Sequence, residues 1–187
     1  MRSVLPLFLT ALAAAAPAVA LENVSVPGFR SIELRGGGEV SVRPGPVQRV
    51  TIVDGSSQFT SIRVDRAGQL RIDACNYRCP QHYRLRIEIQ SPRVPDLAVS
   101  GGGGIRATGG FAATNHLSTA VNGGGSIDAR AVDALDVSAA VNGGGRIAVR
   151  PRLSLNAAVS GGGEVRYLGN PRVSMAVQGG GAVRPGS

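Results

Sequence analysis

The sequence contains no lysine and no tryptophan, and it has only two cysteines and two histidines among 187 residues. Its 20 Lys and Arg positions are therefore all arginine, and with 12 carboxylates they give a net charge of +8. The arginines beyond Arg2 are scattered from Arg30 to Arg184 and form no basic run. A nucleic-acid-binding protein usually carries a basic face together with a known reading module. The pattern does not predict nucleic acid as a partner, although the surplus charge is compatible with other anionic partners.

Long apolar runs are also missing, except at the start of the chain. Residues 1–20 combine one positive charge, an apolar stretch from Val4 to Ala16, and small residues at Ala18 and Ala20. This pattern predicts a secretory signal peptide cleaved before Leu21. An uncleaved anchor is disfavoured because the stretch is shorter than the roughly 20 residues that a membrane span needs. The mature chain is expected to be exported, either to the periplasm or to the cell surface.

The two cysteines, Cys75 and Cys79, lie four residues apart in ACNYRCP. An exported protein meets an oxidising compartment, so the spacing predicts one short-loop disulfide. His82 would complete a C-x3-C-x2-H set with three zinc ligands. That alternative is disfavoured because the spacing is not a standard zinc pattern. No metal or cofactor is predicted.

Glycine triplets recur in one sequence context. The motif occurs six times and consists of a hydrophobic residue, any residue, three glycines, any residue and a second hydrophobic residue. Around the triplets the apolar residues alternate with period two, which predicts strands with one face turned inward. A side chain at a tight corner of every stacked layer would collide with its copies above and below, so the triplets predict glycine corners of a parallel β-solenoid. The motifs begin at Leu34, Val99, Val121, Val141, Val159 and Val177.

The alternation predicts which residues face the core around two of the triplets. The predicted inward residues are Leu135, Val137, Ala139, Val141, Ile147 and Val149 in one segment, and Leu153, Leu155, Ala157, Val159, Val165 and Tyr167 in the next.

The residues directly before and directly after each repeat valine point away from the predicted inward face, and they form two lanes. One interpretation is a flat strip that binds an extended polymer or the sheet edge of a partner. The other, which is favoured, is that the alanines pack against other strands and the polar residues bond along the stack. The lanes are Ala98, Ala120, Ala140, Ala158 and Ala176, and Ser100, Asn122, Asn142, Ser160 and Gln178.

No linker rich in proline or serine divides the mature chain, so residues 21–187 are predicted to form a single domain. Residues 97–187 are expected to form regular coils, and residues 21–96 to form longer, less regular strands. Those strands are predicted at Phe29–Leu34, Glu39–Arg43, Val47–Val53, Phe59–Asp65, Gln69–Asp73, Tyr83–Ile89 and Val94–Val99.

The segment SGGGEVRYLGNP, from Ser160 to Pro171, together with FRSIEL and RAGQLRID, resembles the head GIN domain family of putative auto-transporter adhesins. The resemblance implies a right-handed β-helix-like fold on an exported bacterial protein with a role in adhesion. It supplies no catalytic residues.

Catalysis is not predicted. Glycoside hydrolysis needs paired carboxylates at a fixed separation, whereas Asp128, Asp133 and Asp136 read as turn residues between coils. His82 and His116 cannot be assembled into a convincing Ser-His-Asp set. A polysaccharide-active enzyme is therefore the least favoured function.

The leading hypothesis is a non-enzymatic binding module for an envelope glycan, an anionic polymer or a surface protein. Its candidate ligand-binding residues are Arg166 and Arg184, one coil apart, and Asn122 and Asn142 in the polar lane. The alternative is a structural scaffold that associates with itself through the ends of the solenoid.

Overall fold

The structure, a computed structural model, describes residues 21–76 and 78–186, so the predicted signal peptide at 1–20 lies outside the described residues. The described part contains fifteen strands and no helix, and therefore no helix that could cross a membrane. The strands are β1 (Glu22–Val24), β2 (Ser31–Gly36), β3 (Glu39–Pro44), β4 (Arg49–Asp54), β5 (Ser61–Val64), β6 (Gln69–Asp73), β7 (Arg86–Ser91), β8 (Asp96–Gly101), β9 (Gly104–Ala107), β10 (Thr114–Gly123), β11 (Ser126–Gly143), β12 (Arg146–Ser160), β13 (Glu164–Tyr167), β14 (Arg172–Gln178) and β15 (Ala182–Pro185).

All fifteen strands belong to one mixed sheet that curls into a nearly closed, barrel-like arrangement. Most neighbouring strands are parallel, but β4 runs antiparallel to β1 and β7, and β5 runs antiparallel to β6. The predicted all-β class is confirmed. The predicted parallel right-handed β-helix, or β-solenoid, is wrong.

The turn between β5 and β6 illustrates the physical reason for the antiparallel pairs. Only residues 65–68 connect these strands, and the Asp65 carboxylate accepts hydrogen bonds from the backbone N–H groups of Ala67 (2.9 Å) and Gln69 (3.1 Å). Parallel neighbours need a crossover of about a dozen residues or more. So short a turn returns the chain as an antiparallel hairpin, which a purely parallel fold cannot contain.

The parallel strands form two ladders in which equivalent residues lie side by side. The first ladder consists of β6, β2, β8, β10, the C-terminal parts of β11 and β12, and β14. The second consists of β7, β3, β9, the N-terminal parts of β11 and β12, β13 and β15. The aligned hydrophobic residues are Leu34, Val99, Val121, Val141, Val159 and Val177 in the first ladder, and Val40, Ile105, Ile127, Ile147, Val165 and Val183 in the second.

The inward-facing residues of both ladders form one hydrophobic core. Its largest fully buried members include Ile32, Ile72, Leu97, Ile127 and Ile147. Each such side chain contributes about 1.5–3 kcal/mol by leaving water. The period-two alternation of the sequence therefore has a direct energetic role, because it supplies an apolar side chain to the core at every second position.

Two residues depart from the predicted alternation. Leu135 and Leu153 were expected in the core, yet they are 37% and 52% exposed. Leu135 lies where β11 bends from the second ladder to the first, and the pairing of β11 with β12 shifts register between Ala129 and Asp136. Each shift restarts the alternation, so Ala134 is buried in place of its neighbour Leu135.

The glycine triplets lie where the chain passes from the first ladder to the second. At Gly143–Gly145, the first glycine has φ = 114° and the third is packed so closely that an added Cβ would lie 2.7 Å from the carbonyl oxygen of Gly125. The same Cβ would also collide with the Val121 side chain. A Cβ on the middle glycine, Gly144, would meet nothing within 4 Å. Close backbone approach therefore requires the first and third glycines but not the middle one.

In residues 21–96 the structure has a strand for each of the seven predicted, together with the short strand β1.

Cys75 and Cys79 form a disulfide, as predicted, in the loop between β6 and β7. The alternative zinc site is excluded because both sulfurs are oxidised. The same loop is held by Tyr83, whose hydroxyl lies 2.6 Å from Thr60 Oγ1 and whose ring packs edge-on against Phe59 at 5.6 Å.

The glycine bend at residues 143–145 allows a matched test. Gly145→Ala is expected to reduce the free energy of unfolding by about 2–4 kcal/mol because the new methyl group collides with the layer before it. Gly144→Ala, one residue away, is expected to change it by less than about 0.5 kcal/mol. Urea unfolding of both variants measures the difference. Equal destabilisation by the two substitutions would contradict the role assigned to the third glycine.

Candidate functional site

Asp128, Asp133 and Asp136 were expected in a turn between coils, but all three lie on β11, and the first two are paired with arginines. Asp133 lies 2.9 Å from the Arg152 guanidinium, and Asp128 lies 2.8 Å from that of Arg130. The hydrogen bonds from these arginines hold the pKa of both carboxyls below the usual range. A general acid or base works best with a pKa near the working pH. Neither carboxylate is thus suited to exchange a proton with a substrate near neutral pH.

Both histidines are exposed, and His116 is the register neighbour of Asp136 on the adjacent strand β11. His82 follows the disulfide loop and His116 lies on β10. Within residues 21–76 and 78–186, no three His, Cys, Asp or Glu side chains lie close enough to hold a metal ion.

The two outward lanes of the first ladder face solvent. Four of the five lane alanines, Ala120, Ala140, Ala158 and Ala176, are exposed and Ala98 is half-buried, so the expectation that the alanines pack against other strands is wrong. The alanines form the floor of a shallow depression of about 360 Å³ along the ladder. One edge of this depression is polar and is formed by Ser118, Ser138, Asn156 and Ser174.

Asn122 and Asn142 lie on the other side of the alanine lane, next to the glycine bends. They are register neighbours on β10 and β11, flanked by Ser100 on β8 and Ser160 on β12. Both asparagines are exposed. Strands are about 4.8 Å apart, so successive amide groups are displayed at that spacing along the ladder.

The second ladder carries a cluster of three arginines around one carboxylate, which we call the arginine triad. Arg166 on β13 and Arg184 on β15 are register neighbours. Arg166 Nε donates a hydrogen bond of 2.8 Å to Oε1 of Glu164, and Arg184 Nε donates to the same oxygen. Arg146 Nε on β12 donates to Oε2 at 3.2 Å. One carboxylate therefore holds three guanidinium groups from three neighbouring strands.

Glu164 faces outward but is covered by the triad, so its side chain is only 11% exposed. The hydrogen bonds from Arg166 and Arg184, reinforced by their charges, lower the pKa of Glu164 to about 2, although burial acts in the opposite direction. The carboxylate is therefore charged at physiological pH. Three arginines and one glutamate leave the cluster with a net charge of +2.

The structure thus brings the predicted ligand-binding residues together as two separate pairs. Asn122 and Asn142 lie on the first ladder, whereas Arg166 and Arg184 lie on the second. Arg146 was not among the predicted site residues. Its signal was present in the sequence, because Arg146 and Glu164 each directly follow the third glycine of a triplet and the structure pairs them.

The fold and the site together define an all-β protein whose polar and charged groups lie on the outer faces of its sheet. Residues 97–171 match the model of the family described as "Putative auto-transporter adhesin, head GIN domain". The resemblance inferred from the sequence motifs is therefore confirmed over these residues. Among curated proteins, none matches this sequence.

Three solved bacterial structures match this chain, only the first of them with a TM-score above 0.5. A crystal structure described as a putative adhesin from Bacteroides fragilis NCTC 9343 aligns with a TM-score of 0.55 and 17% identity, covering 89% of this chain and 96% of that one. One described as a putative adhesin from Parabacteroides distasonis ATCC 8503 has a TM-score of 0.42, 17% identity and coverages of 89% and 96%. One described as a putative cell adhesion protein from Clostridium sporogenes ATCC 15579 has a TM-score of 0.39, 9% identity and coverages of 89% and 97%. At these identities the first similarity establishes the fold alone.

The low pKa of Glu164 predicts how the triad contributes to stability at different pH values. Glu164→Gln is expected to lower the free energy of unfolding by about 1–2 kcal/mol at pH 7, because three partly exposed ion pairs are lost. The folded-state pKa is depressed, so this contribution is fully present above the ordinary pKa near 4.5 and is lost as pH falls towards about 2.

Urea unfolding at several pH values measures the difference between wild type and Glu164→Gln. Glu39→Gln is the matched control, because Glu39 is 78% exposed and lies 3.9 Å from Arg86. The control is expected to change stability by less than about 0.5 kcal/mol. A Glu164→Gln effect that stayed constant from pH 7 to pH 2 would contradict the role of the triad.

Proposed function

We propose that the protein is an exported, non-enzymatic binding module of the adhesin type, acting in the periplasm or at the cell surface. Export is supported by the signal-peptide pattern of residues 1–20 and by the match to a family described as adhesins. A role in binding rather than catalysis is supported by the same family description. It is further supported by the pairing of Asp128 and Asp133 with arginines, which keeps both as weak bases.

The observation that carries the proposal is the exposed lane pattern of the first ladder. Along the outer face of β10, β11, β12 and β14, a methyl group alternates with hydroxyl or amide groups, and equivalent groups line up from strand to strand. The apolar floor can take the flat face of a sugar ring or an extended backbone, while the flanking Ser and Asn groups can hydrogen-bond to it. A repeating surface of this kind fits a repeating ligand such as an envelope glycan.

A binding screen tests this function. The purified protein is screened against envelope glycans and surface polymers, and we expect at least one to bind. The double substitution Asn122→Ala and Asn142→Ala is expected to weaken binding to that ligand about tenfold, because two exposed hydrogen-bonding groups are removed. Isothermal titration calorimetry measures the affinity.

The matched control is the double substitution Asn115→Ala and Asn170→Ala. Both asparagines are exposed and lie outside the two lanes. The control protein should bind as wild type does. A protein that binds nothing in the screen would refute the proposed function. Equal effects of the two double variants would show that the lanes are not the binding surface.

A second candidate function is self-association, and the exposed face of β14 favours it. Val173, Met175 and Val177 occupy positions that are buried on β12, yet they are 36%, 63% and 41% exposed. Within the described residues, β14 pairs only with β12, so its other backbone edge is free. A second copy could add its own β14 antiparallel, since an isologous contact requires only one self-complementary surface. Such a contact would make the protein an envelope scaffold.

Met175→Lys tests this candidate because a lysine on an edge strand opposes pairing with another strand. If β14 pairs between copies, sedimentation should give a dimer for the wild type and a monomer for Met175→Lys. Leu153→Lys is the control, since Leu153 is exposed but lies on β12, away from that edge. A wild-type protein that remains monomeric at all concentrations would refute the scaffold.

A further inference from the structure

The arginine triad has unused binding capacity. Arg146, Arg166 and Arg184 each bond to Glu164 through Nε, and within the described part of the chain their η-nitrogens make no hydrogen bond. Their side chains are 66%, 45% and 57% exposed. A guanidinium presents its N–H groups as a planar fork that matches a carboxylate, sulfate or phosphate. Three such forks are therefore available to solvent.

The triad also has more positive charge than its own carboxylate neutralises. Glu164 bonds to all three arginines and leaves a surplus of two charges within a few ångströms. Like charges so close together repel one another, and a shared carboxylate is what keeps them in place. A further anion would be attracted to the remaining charge without having to displace Glu164.

A depression beside the triad offers room for such an anion. It has a volume of about 240 Å³ and is lined by Arg146, Arg184, Glu164 and the glycine bends between the ladders. A Cβ placed on Gly144 or Gly162 would meet nothing within 4 Å, so no side chain obstructs the approach to this backbone. Pockets that enclose whole ligands are usually about 300–1,000 Å³. This depression therefore suits one charged group of a longer molecule.

We propose that the arginine triad binds the carboxylate or sulfate groups of an acidic polysaccharide. This inference rests on the proposed function as an exported binding module, and it assigns a ligand class to a site distinct from the asparagine lane. An extended polymer is the class that fits, because the arginines project from three adjacent strands on one exposed face rather than from the walls of an enclosed pocket. Arg146, which was not predicted, is the third member of the site.

Titrations with defined polymers test the proposal. Polygalacturonate provides carboxylates, dextran sulfate provides sulfates, and neutral dextran is the uncharged control. The wild-type protein should bind at least one acidic polymer, more weakly at high salt, and should not bind dextran. Arg146→Ser and the double substitution Arg166→Ser and Arg184→Ser should each weaken that binding about three- to tenfold, as expected for charge-assisted contacts at an exposed site.

Substitutions elsewhere separate a specific site from overall charge. Arg49 on β4 and Arg93 are exposed and lie outside the triad, so Arg49→Ser and Arg93→Ser together remove two charges without altering it. This control should bind as wild type does. The inference is overturned if the control loses as much affinity as the triad variants, or if folded triad variants, checked by circular dichroism, bind as tightly as wild type.

The same titrations distinguish failure of this inference from failure of the proposed function. If the acidic polymers do not bind but a neutral glycan does, the ligand class is wrong and the binding function stands. Preference for a phosphate-bearing lipopolysaccharide over both acidic polymers would also overturn the polysaccharide assignment. If nothing binds in either experiment, both proposals fall.

Discussion

The structure depends on the close approach of backbones from neighbouring layers at the glycine bends. The carbonyl oxygen of Gly125 accepts a hydrogen bond of 3.0 Å from the N–H of Arg146, and that of Gly145 accepts one of 2.9 Å from Glu164. These bonds form without strain only if no side chain stands between the layers, which is why replacing the first or third glycine is expected to cost stability. Once the bends stack, the strands that leave them must also align.

Alignment at the bends has a consequence for the outer surface. Residues at equal distances from a triplet become neighbours across strands, even though about 20 positions separate them in the chain. Strand partners are close enough for direct side-chain interaction. A single alanine or asparagine per layer is therefore sufficient to build a lane, and the triad forms because the register places Arg166 beside Arg184 and Arg146 beside Glu164. The same register that holds the core together thus concentrates chemical groups on the outside.

The sequence predicts the strands and much of the core because both depend on local alternation. Val141, Ile147 and Val159 are buried as predicted. The direction of pairing is a different matter, since it depends on the length and geometry of each connection, and the turn at Asp65 alone forces an antiparallel pair. The bend in β11 could not be predicted from the sequence either, because a register shift leaves the hydrophobic pattern nearly intact while it turns Leu135 outward.

The site was predictable in part for a related reason. Arg166 and Arg184 follow from register, and so would Arg146 if the residues after every third glycine had been compared. The role of Glu164 did not follow from register, because only the structure shows that it holds the three guanidinium groups together at a net charge of +2. Whether a neighbouring charge opposes or organises a cluster depends on side-chain directions, which spacing alone does not determine.

The position of the core also limits where this protein can act. In the described residues the space between the ladders is filled by isoleucine, leucine, valine and alanine, and every fully buried side-chain nitrogen or oxygen has a hydrogen-bond partner. Protein interiors of this kind are close-packed and leave no room for a ligand. Recognition must therefore take place on the outer faces and at the strand edges. On those surfaces the side chains are free of packing constraints, so a lane or a charged cluster can change without disturbing the fold beneath it.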